Sequence, residues 1–223
     1  EVGTITITVK GVNDAPVVFD DQIELTENEF PEFRSIPASE AVDDPIVRYQ
    51  LVSGVPEGRG VLEFTEADGS YLFSMGEDFD SLSEGETDEV VFTYQAIDEF
   101  GDLSNVGTIT LTITGVNDAP VVSDAEVETD EDTPLESEVP RATDVDGSGE
   151  RYELVDDLLP GQGVLVFNSD GSYEFDPGED FDDLPAGQSR EVEFTYRAVD
   201  ELGAASEVGT ITITVKGVND APV

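Results

Sequence analysis

The sequence predicts an all-β protein of two tandem antiparallel β-sandwiches in an elongated arrangement. Three observations lead to this prediction: a length of 223 residues, a heptapeptide that occurs three times, and apolar residues that alternate with polar ones. A chain of 223 residues is long for a single sandwich, but it fits two domains of about 100 residues each.

Internal repetition is the strongest pattern in the chain. The heptapeptide Gly-Val-Asn-Asp-Ala-Pro-Val begins at Gly11, Gly115 and Gly217. The ten residues that precede the third copy, 207–216, are identical to residues 1–10. A repeat of this length indicates one structural unit copied along the chain.

The repeated heptapeptide also predicts the domain boundaries. Residues 1–14 are expected to be the final strand and linker of a preceding repeat. The first full repeat is expected at 15–117, and the second, with the start of the next linker, at 118–223. The linker proline lacks an N–H and has a fixed φ, which favours a short and stiff connection.

The apolar residues recur with a period of two, which is typical of strands. Phe92, Tyr94 and Ala96 alternate with polar residues, and Asp-Gly turn pairs separate such runs. We expect about seven short strands in each repeat. The aromatic residues at strand spacing are expected to lie in the core: Phe64, Tyr71, Phe73, Phe92 and Tyr94.

The charge of the chain narrows its partners. There are 53 acidic residues against 9 basic residues and no histidine, for a formal net charge of -44. Such a chain repels the phosphates of nucleic acids and anionic membrane surfaces. Two explanations of the acidity stay open: bound divalent cations, or a salty medium that screens exposed charges.

The residues that are absent exclude several kinds of chemistry. Without histidine or cysteine, the chain contains no Ser-His-Asp or Cys-His catalytic set and no zinc-thiolate site. There is no phosphate-binding glycine motif, and no apolar run of 18 residues that would span a membrane. We therefore predict that the chain is not an enzyme and does not insert into a membrane.

The acidic motifs have the composition of a calcium site. Ca²⁺ takes six to eight oxygen ligands from carboxylates, amides and backbone carbonyls. The spacing Asp144-x-Asp146 allows two carboxylates of one loop to reach the same ion. Each Asn-Asp pair is also compatible with a simple turn, and each Gly-Glu-Asp-Phe-Asp run with a solvated loop.

Taken together and in order, these motifs resemble cadherin-type repeats. They are most similar to the bacterial cadherin-like repeats of large surface adhesins, including the VCBS and related tandem families. The segments that carry the resemblance are Ala142–Gly147, Asp170–Phe175, Phe194–Asp200 and Gly217–Pro222.

The resemblance implies an immunoglobulin-like sandwich with calcium bound where neighbouring repeats of the chain join. At the middle junction of this chain it implies ligands from the first repeat (Glu27 or Asn28, with Glu77, Asp78 or Asp80), from the linker (Asn117 and Asp118) and from the second repeat (Asp144, Asp146 and Asp200). For the two outer sites it implies Asn13, Asp14, Asp43 and Asp98 at one end and Glu131, Asn219 and Asp220 at the other.

The first repeat departs from the family pattern at two places. The Asp-x-Asp position reads Ala41-Val42-Asp43-Asp44, so the first acid is lost, and whether a neighbouring acid replaces it stays open. The site that repeat one forms with Asn13, Asp14 and Asp98, which we call the upper site, is therefore expected to be weaker. The early glutamate is ambiguous as well, because Asn28 rather than Glu27 stands three residues before Pro31, as Glu131 stands before Pro134.

The function that the resemblance implies is a calcium-rigidified spacer in an extracellular or cell-surface adhesin. Such a protein would take part in cell adhesion and biofilm formation. The alternative is a calcium-dependent carbohydrate-binding module that recognises a polysaccharide or a cell-surface ligand through Tyr49 or Tyr152. Residues 1–10, with Ile5, Ile7 and Val9 on one face, further predict self-association through strand pairing.

Overall fold

The computed structural model describes residues 3–147 and 149–219. The chain divides into two compact units between Val116 and Asn117, which we call repeat one and repeat two. Within the described residues each unit has seven strands, and the only helical element is a 3₁₀ helix at Gly178–Phe181. No helix in this part of the chain is long and apolar enough to cross a membrane.

Repeat one consists of two sheets packed face to face. Its strands are β1 (Asp21–Thr26), β2 (Phe33–Ser35), β3 (Ile46–Ser53), β4 (Val61–Phe64), β5 (Ser70–Ser74), β6 (Thr87–Asp98) and β7 (Gly107–Thr114). The four-stranded sheet has the order β1-β7-β6-β3, and the three-stranded sheet has the order β2-β5-β4.

Repeat two has the same topology. Its strands are β8 (Ala125–Asp130), β9 (Leu135–Glu138), β10 (Arg151–Asp156), β11 (Val164–Phe167), β12 (Ser172–Asp176), β13 (Ser189–Val199) and β14 (Gly209–Lys216). The orders β10-β13-β14-β8 and β11-β12-β9 match those of repeat one strand for strand. The predicted all-β class with two sandwiches is confirmed.

One strand pair in each repeat is parallel, which the sequence did not indicate. β1 runs parallel to β7 with Ile23 opposite Leu111, and β8 runs parallel to β14 with Val127 opposite Ile213. The two members of each pair are the first and last strands of a repeat. Local alternation marks each segment as a strand, but it carries no information on the direction of so distant a partner.

The core of each repeat lies between its two sheets. Alternate residues of β7 and β14 point inward, and Phe92 and Phe194 are almost fully buried beside them. Each of these phenylalanines meets a tyrosine edge to face, with ring centroids 5.0 Å apart, Tyr71 in repeat one and Tyr173 in repeat two. The predicted aromatic core is confirmed.

The two tyrosines considered for carbohydrate stacking belong to the core region instead. Tyr152 is 8% exposed, and its hydroxyl oxygen accepts a hydrogen bond from the backbone N–H of Ala142 at 2.8 Å. Tyr49 is half-buried, with its ring centroid 6.4 Å from that of Tyr94. Both rings therefore pack with the cores of their repeats, which does not favour a sugar platform at either tyrosine.

Residues 3–16 contain no strand, although 1–14 were expected to hold one. Ile5, Ile7 and Val9 are 82–89% exposed. The same sequence in β14 is buried, because β14 lies between β13 and β8. A strand needs such neighbours for its backbone hydrogen bonds, and the described part of the chain supplies none to residues 3–10.

The glycine that opens each linker has a steric role. A Cβ on Gly115 would lie 2.4 Å from the carbonyl oxygen of Ser83, and one on Gly217 would lie 2.4 Å from that of Pro185. Both distances are shorter than any side chain tolerates, so only glycine lets the linker leave the last strand at this place. The residues that follow Gly115 carry the candidate ligands.

Candidate metal centres

Each repeat has an end at which its preceding Asn-Asp linker arrives, which we call the entry end. In repeat two this end brings together Asn117, Asp118, Asp144, Asp146 and Asp200, which we call the second entry cluster. These residues come from the linker, from the loop between β9 and β10, and from the position directly after β13. Because Arg151 of β10 pairs with Val199 of β13, the two loops emerge side by side.

Asp200 is the anchor of the second entry cluster. Its Oδ1 accepts hydrogen bonds from the backbone N–H groups of Gly203 at 2.6 Å and Ala204 at 2.8 Å, and its Oδ2 accepts one from Nδ2 of Asn117 at 2.8 Å. These hydrogen bonds, that of Asn117 first, lower the pKa of Asp200 even though burial opposes them. Asp200 is therefore ionised at neutral pH and fixes the linker amide.

Asp144 and Asp146 form a close pair of like charges. Oδ1 of Asp144 accepts a hydrogen bond from the N–H of Gly147 at 3.1 Å, whereas its Oδ2 is buried and receives no N–H or O–H donor. Burial raises the pKa of Asp144, and the neighbouring Asp146 carboxylate raises it further. Two carboxylates in this arrangement are stabilised by a shared proton or by a cation.

The linker is tied to this pair through its backbone. The N–H of Asp118 faces both carboxylate oxygens of Asp146 at 3.4 Å. The second entry cluster is thus continuous from Asp200 through the linker to Asp146 and Asp144. All five residues that the sequence assigned to linker and second repeat meet at one end of that repeat.

Repeat one has a corresponding first entry cluster of Asn13, Asp14, Asp43, Asp98 and Asp102. Asp98 is 2% exposed, and its Oδ2 accepts a hydrogen bond from Nδ2 of Asn13 at 2.8 Å. This hydrogen bond is the largest influence that lowers the pKa of Asp98, and backbone N–H groups of the same loop lower it further. The N–H of Asp14 faces Asp43 at 3.2 and 3.3 Å.

Asp102 was missed by sequence reasoning. Nδ2 of Asn13 donates to its Oδ2 at 2.7 Å, so a second carboxylate contacts the same amide as Asp98. Its counterpart in repeat two is Ala204, and this difference between the aligned repeats is the signal that could have identified it.

The other end of each repeat, which we call the exit end, holds one buried glutamate. Glu131 is 3% exposed; its Oε1 accepts a hydrogen bond from the N–H of Val218 at 2.8 Å, and its Oε2 is buried without a donor. Glu27 is 5% exposed, and its Oε1 accepts the N–H of Val116 at 2.6 Å. The contacts of Glu27 match those of Glu131, whereas Asn28 is exposed.

The acidic loops before β6 and β13 are organised around the fold. Oδ2 of Asp78 accepts the N–H of Gly60 at 2.7 Å, and Oδ2 of Asp180 accepts that of Gly163 at 2.9 Å. Each of these aspartates therefore holds the entry to a neighbouring strand. Glu77 is exposed and Asp80 is half-buried.

The remaining assigned residues belong to the third linker copy. Asn219 is exposed, and Asp220 lies outside the described residues. Among residues 3–147 and 149–219, no three acidic side chains come close enough together to enclose a metal ion by themselves. Any ion held at these ends would also need amide and backbone oxygens.

The donor set nevertheless fits a hard cation. Three oxygens of the candidate ligands are buried and receive no hydrogen-bond donor within the described residues: Oδ1 of Asn13, Oε2 of Glu131 and Oδ2 of Asp144. A buried oxygen without a partner costs about 1–3 kcal/mol, and a cation removes that cost. Oxygens from carboxylates and amides are the ligands that Ca²⁺ prefers.

Comparison with known proteins agrees with the fold. Residues 117–217 match the model of the bacterial cadherin-like domain. Among solved structures, Drosophila N-cadherin EC1-4 is similar with a TM-score of 0.53 and 20% identity, covering 93% of this chain and 50% of that chain. The human desmocollin-1 ectodomain is similar with a TM-score of 0.49 and 14% identity, covering 94% of this chain and 42% of that chain.

At 20% identity the similarity to the N-cadherin structure establishes the fold alone, and this chain spans about half the length of that structure. No curated protein sequence matches the chain. Repeat one repeats the strand order and the linker motif of repeat two. The family match covers residues 117–217 and therefore applies to the second of the two repeats.

Proposed function

We propose that this chain is a calcium-binding, calcium-rigidified part of a bacterial surface or secreted adhesin, in which its repeats act as extracellular spacers. The observation that carries the proposal is the buried carboxylate of Glu131, which is 3% exposed and has one oxygen without a donor. A buried carboxylate oxygen in a chain of net charge -44 is a strong reason to expect a cation.

The entry clusters and the exit glutamates would supply the ligands. At the entry end of repeat two these are Asn117, Asp118, Asp144, Asp146 and Asp200; at its exit end they are Glu131 with Asn219 and Asp220. Bound calcium would neutralise the negative charge of these carboxylates. The protein's own contribution is to hold the linker amide on Asp200 and to exclude water from Glu131.

Calcium would stiffen the linker because two consecutive linker residues are hydrogen-bonded to acids that would be calcium ligands. The N–H of Val116 is bound to Glu27 of repeat one, and the side chain of the next residue, Asn117, is bound to Asp200 of repeat two. Two consecutive residues are thus each fixed by an acid that would be a calcium ligand. Removing the ion would leave these acids to repel their neighbours and loosen both attachments.

Thermal unfolding in three buffers tests the calcium sites: EDTA, excess Ca²⁺, and NaCl at the ionic strength of the calcium buffer. Extracellular modules bind calcium with a Kd of about 10⁻⁴–10⁻³ M. At 100 times Kd, each site adds about 2.7 kcal/mol to the free energy of unfolding. We expect a rise in Tm with Ca²⁺ that NaCl does not reproduce; equal rises in both salts would instead identify the acids as a salt-adapted surface.

Small-angle scattering on the same samples tests the stiffening. We expect the distribution of molecular dimensions to narrow when Ca²⁺ replaces EDTA. In Asp144→Ala/Asp146→Ala this narrowing is expected to weaken while both repeats stay folded. A double variant that responds to calcium as the parent does would contradict a role for these two carboxylates.

Strand-mediated self-association is a second part of the proposal. The apolar face of residues 3–10 is exposed, and its sequence is identical to that of the buried strand β14. An exposed segment with this sequence would pair as a strand with the sheet edge of another molecule. Light scattering should detect a concentration-dependent dimer that Ile7→Lys abolishes, and a parent chain that stays monomeric up to millimolar concentration would contradict it.

A further inference from the structure

The two entry ends differ by the exchange of one carboxylate between two loops. The isolated bridges Val17–Glu40 and Val121–Thr143 occupy the same place in the two repeats. Their registers put Ala41 at the position of Asp144, so repeat one lacks this carboxylate.

The opposite difference occurs in the loop that follows β6 in repeat one and β13 in repeat two. The N–H of Asp98 donates to the carbonyl oxygen of Asp102 at 3.2 Å, and the N–H of Asp200 donates to that of Ala204 at 3.0 Å. Asp102 and Ala204 are therefore equivalent positions, and here it is repeat one that carries the additional carboxylate.

The two loops lie next to each other in the fold. Ile46, the first residue of β3, pairs with Asp98, the last residue of β6. The loop that enters β3 contains Ala41, and the loop that leaves β6 contains Asp102. A carboxylate from either loop is therefore presented at the same end of the sandwich.

Asn13 connects Asp102 to the rest of the first entry cluster. Its Nδ2 donates to Asp98 at 2.8 Å and to Asp102 at 2.7 Å. Because both neighbours are carboxylates, the amide atom that faces them must be the nitrogen. Its Oδ1 is thereby fixed on the other side, where it is buried and has no donor.

We infer that Asp102 takes part in calcium binding at the entry end of repeat one and replaces the carboxylate that Ala41 lacks. This inference rests on the proposed function, and it makes the upper site a complete one rather than a weakened one. Asp98 and Asp102 both accept hydrogen bonds from Nδ2 of Asn13, and the donor-free Oδ1 of the same amide would supply a further oxygen to the ion. In repeat two the equivalent charge is supplied by Asp144 from the adjacent loop.

Calcium titration of the full chain, by calorimetry and by equilibrium dialysis, tests the inference. We expect Asp102→Ala to raise the Kd of one class of sites at least about tenfold, because charge count sets calcium affinity. The variant is expected to fold, since repeat two carries Ala204 at this position, and Asp102→Asn provides a second variant that keeps the side-chain shape. Circular dichroism in EDTA checks the fold of each.

Two further variants distinguish the loss of a calcium ligand from a non-specific effect of net charge. Glu99→Ala removes an exposed acid from the same loop and should change the Kd less than about twofold, because exposed charges are well screened. Ala41→Asp in the Asp102→Ala background restores a carboxylate at the position of Asp144 and should recover the lost affinity.

The outcomes distinguish the inference from the function on which it rests. A parent chain that binds no calcium overturns both. A parent that binds calcium, with Asp102→Ala and Asp102→Asn binding the same number of ions with the same affinity, overturns the role of Asp102 and leaves the proposed function standing. Equal losses in Glu99→Ala and Asp102→Ala also overturn it, because general charge would then explain the effect.

Discussion

The entry ends of the two repeats have the same anchor but different surroundings. In both, an aspartate at or directly after the end of β6 or β13, Asp98 or Asp200, accepts a hydrogen bond from Nδ2 of the linker asparagine at 2.8 Å. Repeat two places its close carboxylate pair, Asp144 and Asp146, in one loop. Repeat one spreads its carboxylates over two loops, with Asp43 in one and Asp102 in the other.

This difference shows which part of the end is fixed by the fold. The anchor aspartate accepts backbone N–H groups of its own turn, so its position is set by the strand and the turn. The other carboxylates need only lie at the same end of the sandwich, and either of two adjacent loops can carry them there. The linker asparagine is common to both arrangements because it joins the anchor to the chain.

The largest effect that tests the equivalence of the repeats is in their cores. Phe92→Ala and Phe194→Ala should each lower the free energy of unfolding of their own repeat by about 3–5 kcal/mol, because each removes a buried ring that contacts a tyrosine at 5.0 Å. Calorimetry of the full chain measures both variants. Costs that differ by several kcal/mol would mean that the two sandwiches are not equivalent.

A smaller effect is expected at the exit glutamates. Glu131→Ala leaves the N–H of Val218 without its acceptor and should cost about 1–3 kcal/mol in EDTA. Glu131→Gln keeps an acceptor oxygen and removes the buried charge, so it should fold as well as the parent in EDTA but gain less stability from calcium. Glu27→Gln is the matched variant in repeat one.

These glutamate variants separate structure from ligation. Thermal unfolding with and without Ca²⁺ measures both contributions for each variant. If Glu131→Gln gains as much from calcium as the parent, this carboxylate is not a ligand, and its role is confined to the hydrogen bond with Val218.

The smallest effect concerns pH and is confined to repeat two. Because the pKa of Asp144 is raised in the folded state above 3.8, the folded state holds its proton longer than the unfolded state. In EDTA the stability of repeat two should therefore fall as pH rises from about 3.8 through the raised pKa of Asp144. Asp144→Asn should remove this fall, and Ala41→Asp should introduce a similar one in repeat one.

The anchors have the opposite dependence. The pKa values of Asp98 and Asp200 are lowered, so their contribution is present above 3.8 and is lost as pH falls through the lowered values. As pH falls below about 3.8, the free energy of unfolding should therefore decrease in both repeats. Unfolding curves between pH 3 and 7 measure the two trends, and an identical profile for Asp144→Asn and the parent would contradict the interpretation of the Asp144–Asp146 pair.

Much of the entry cluster of repeat two could be predicted because its residues occur in recognisable motifs. Asn117, Asp118, Asp144, Asp146 and Asp200 each belong to a motif that the family resemblance covers, and they meet at one end. Asp102 could not be predicted in this way, because it belongs to no motif, and its contact with Asn13 joins residues that are 89 positions apart. The choice between Glu27 and Asn28 needed the strand register, since counting from the proline favoured Asn28.

The all-β class, the two-fold repetition and the alternation that fills each core were predictable from the amino-acid sequence, because they depend on local periodicity and on repeated segments. The parallel pairing of first and last strands, the burial of Tyr152, and the proximity of the Ala41 and Asp102 loops became evident only in the folded chain. The reason is physical: these features depend on backbone hydrogen bonds and contacts between distant residues, and a local pattern does not encode the partner. The same holds for the buried oxygen of Glu131, which becomes costly only once the chain has folded around it.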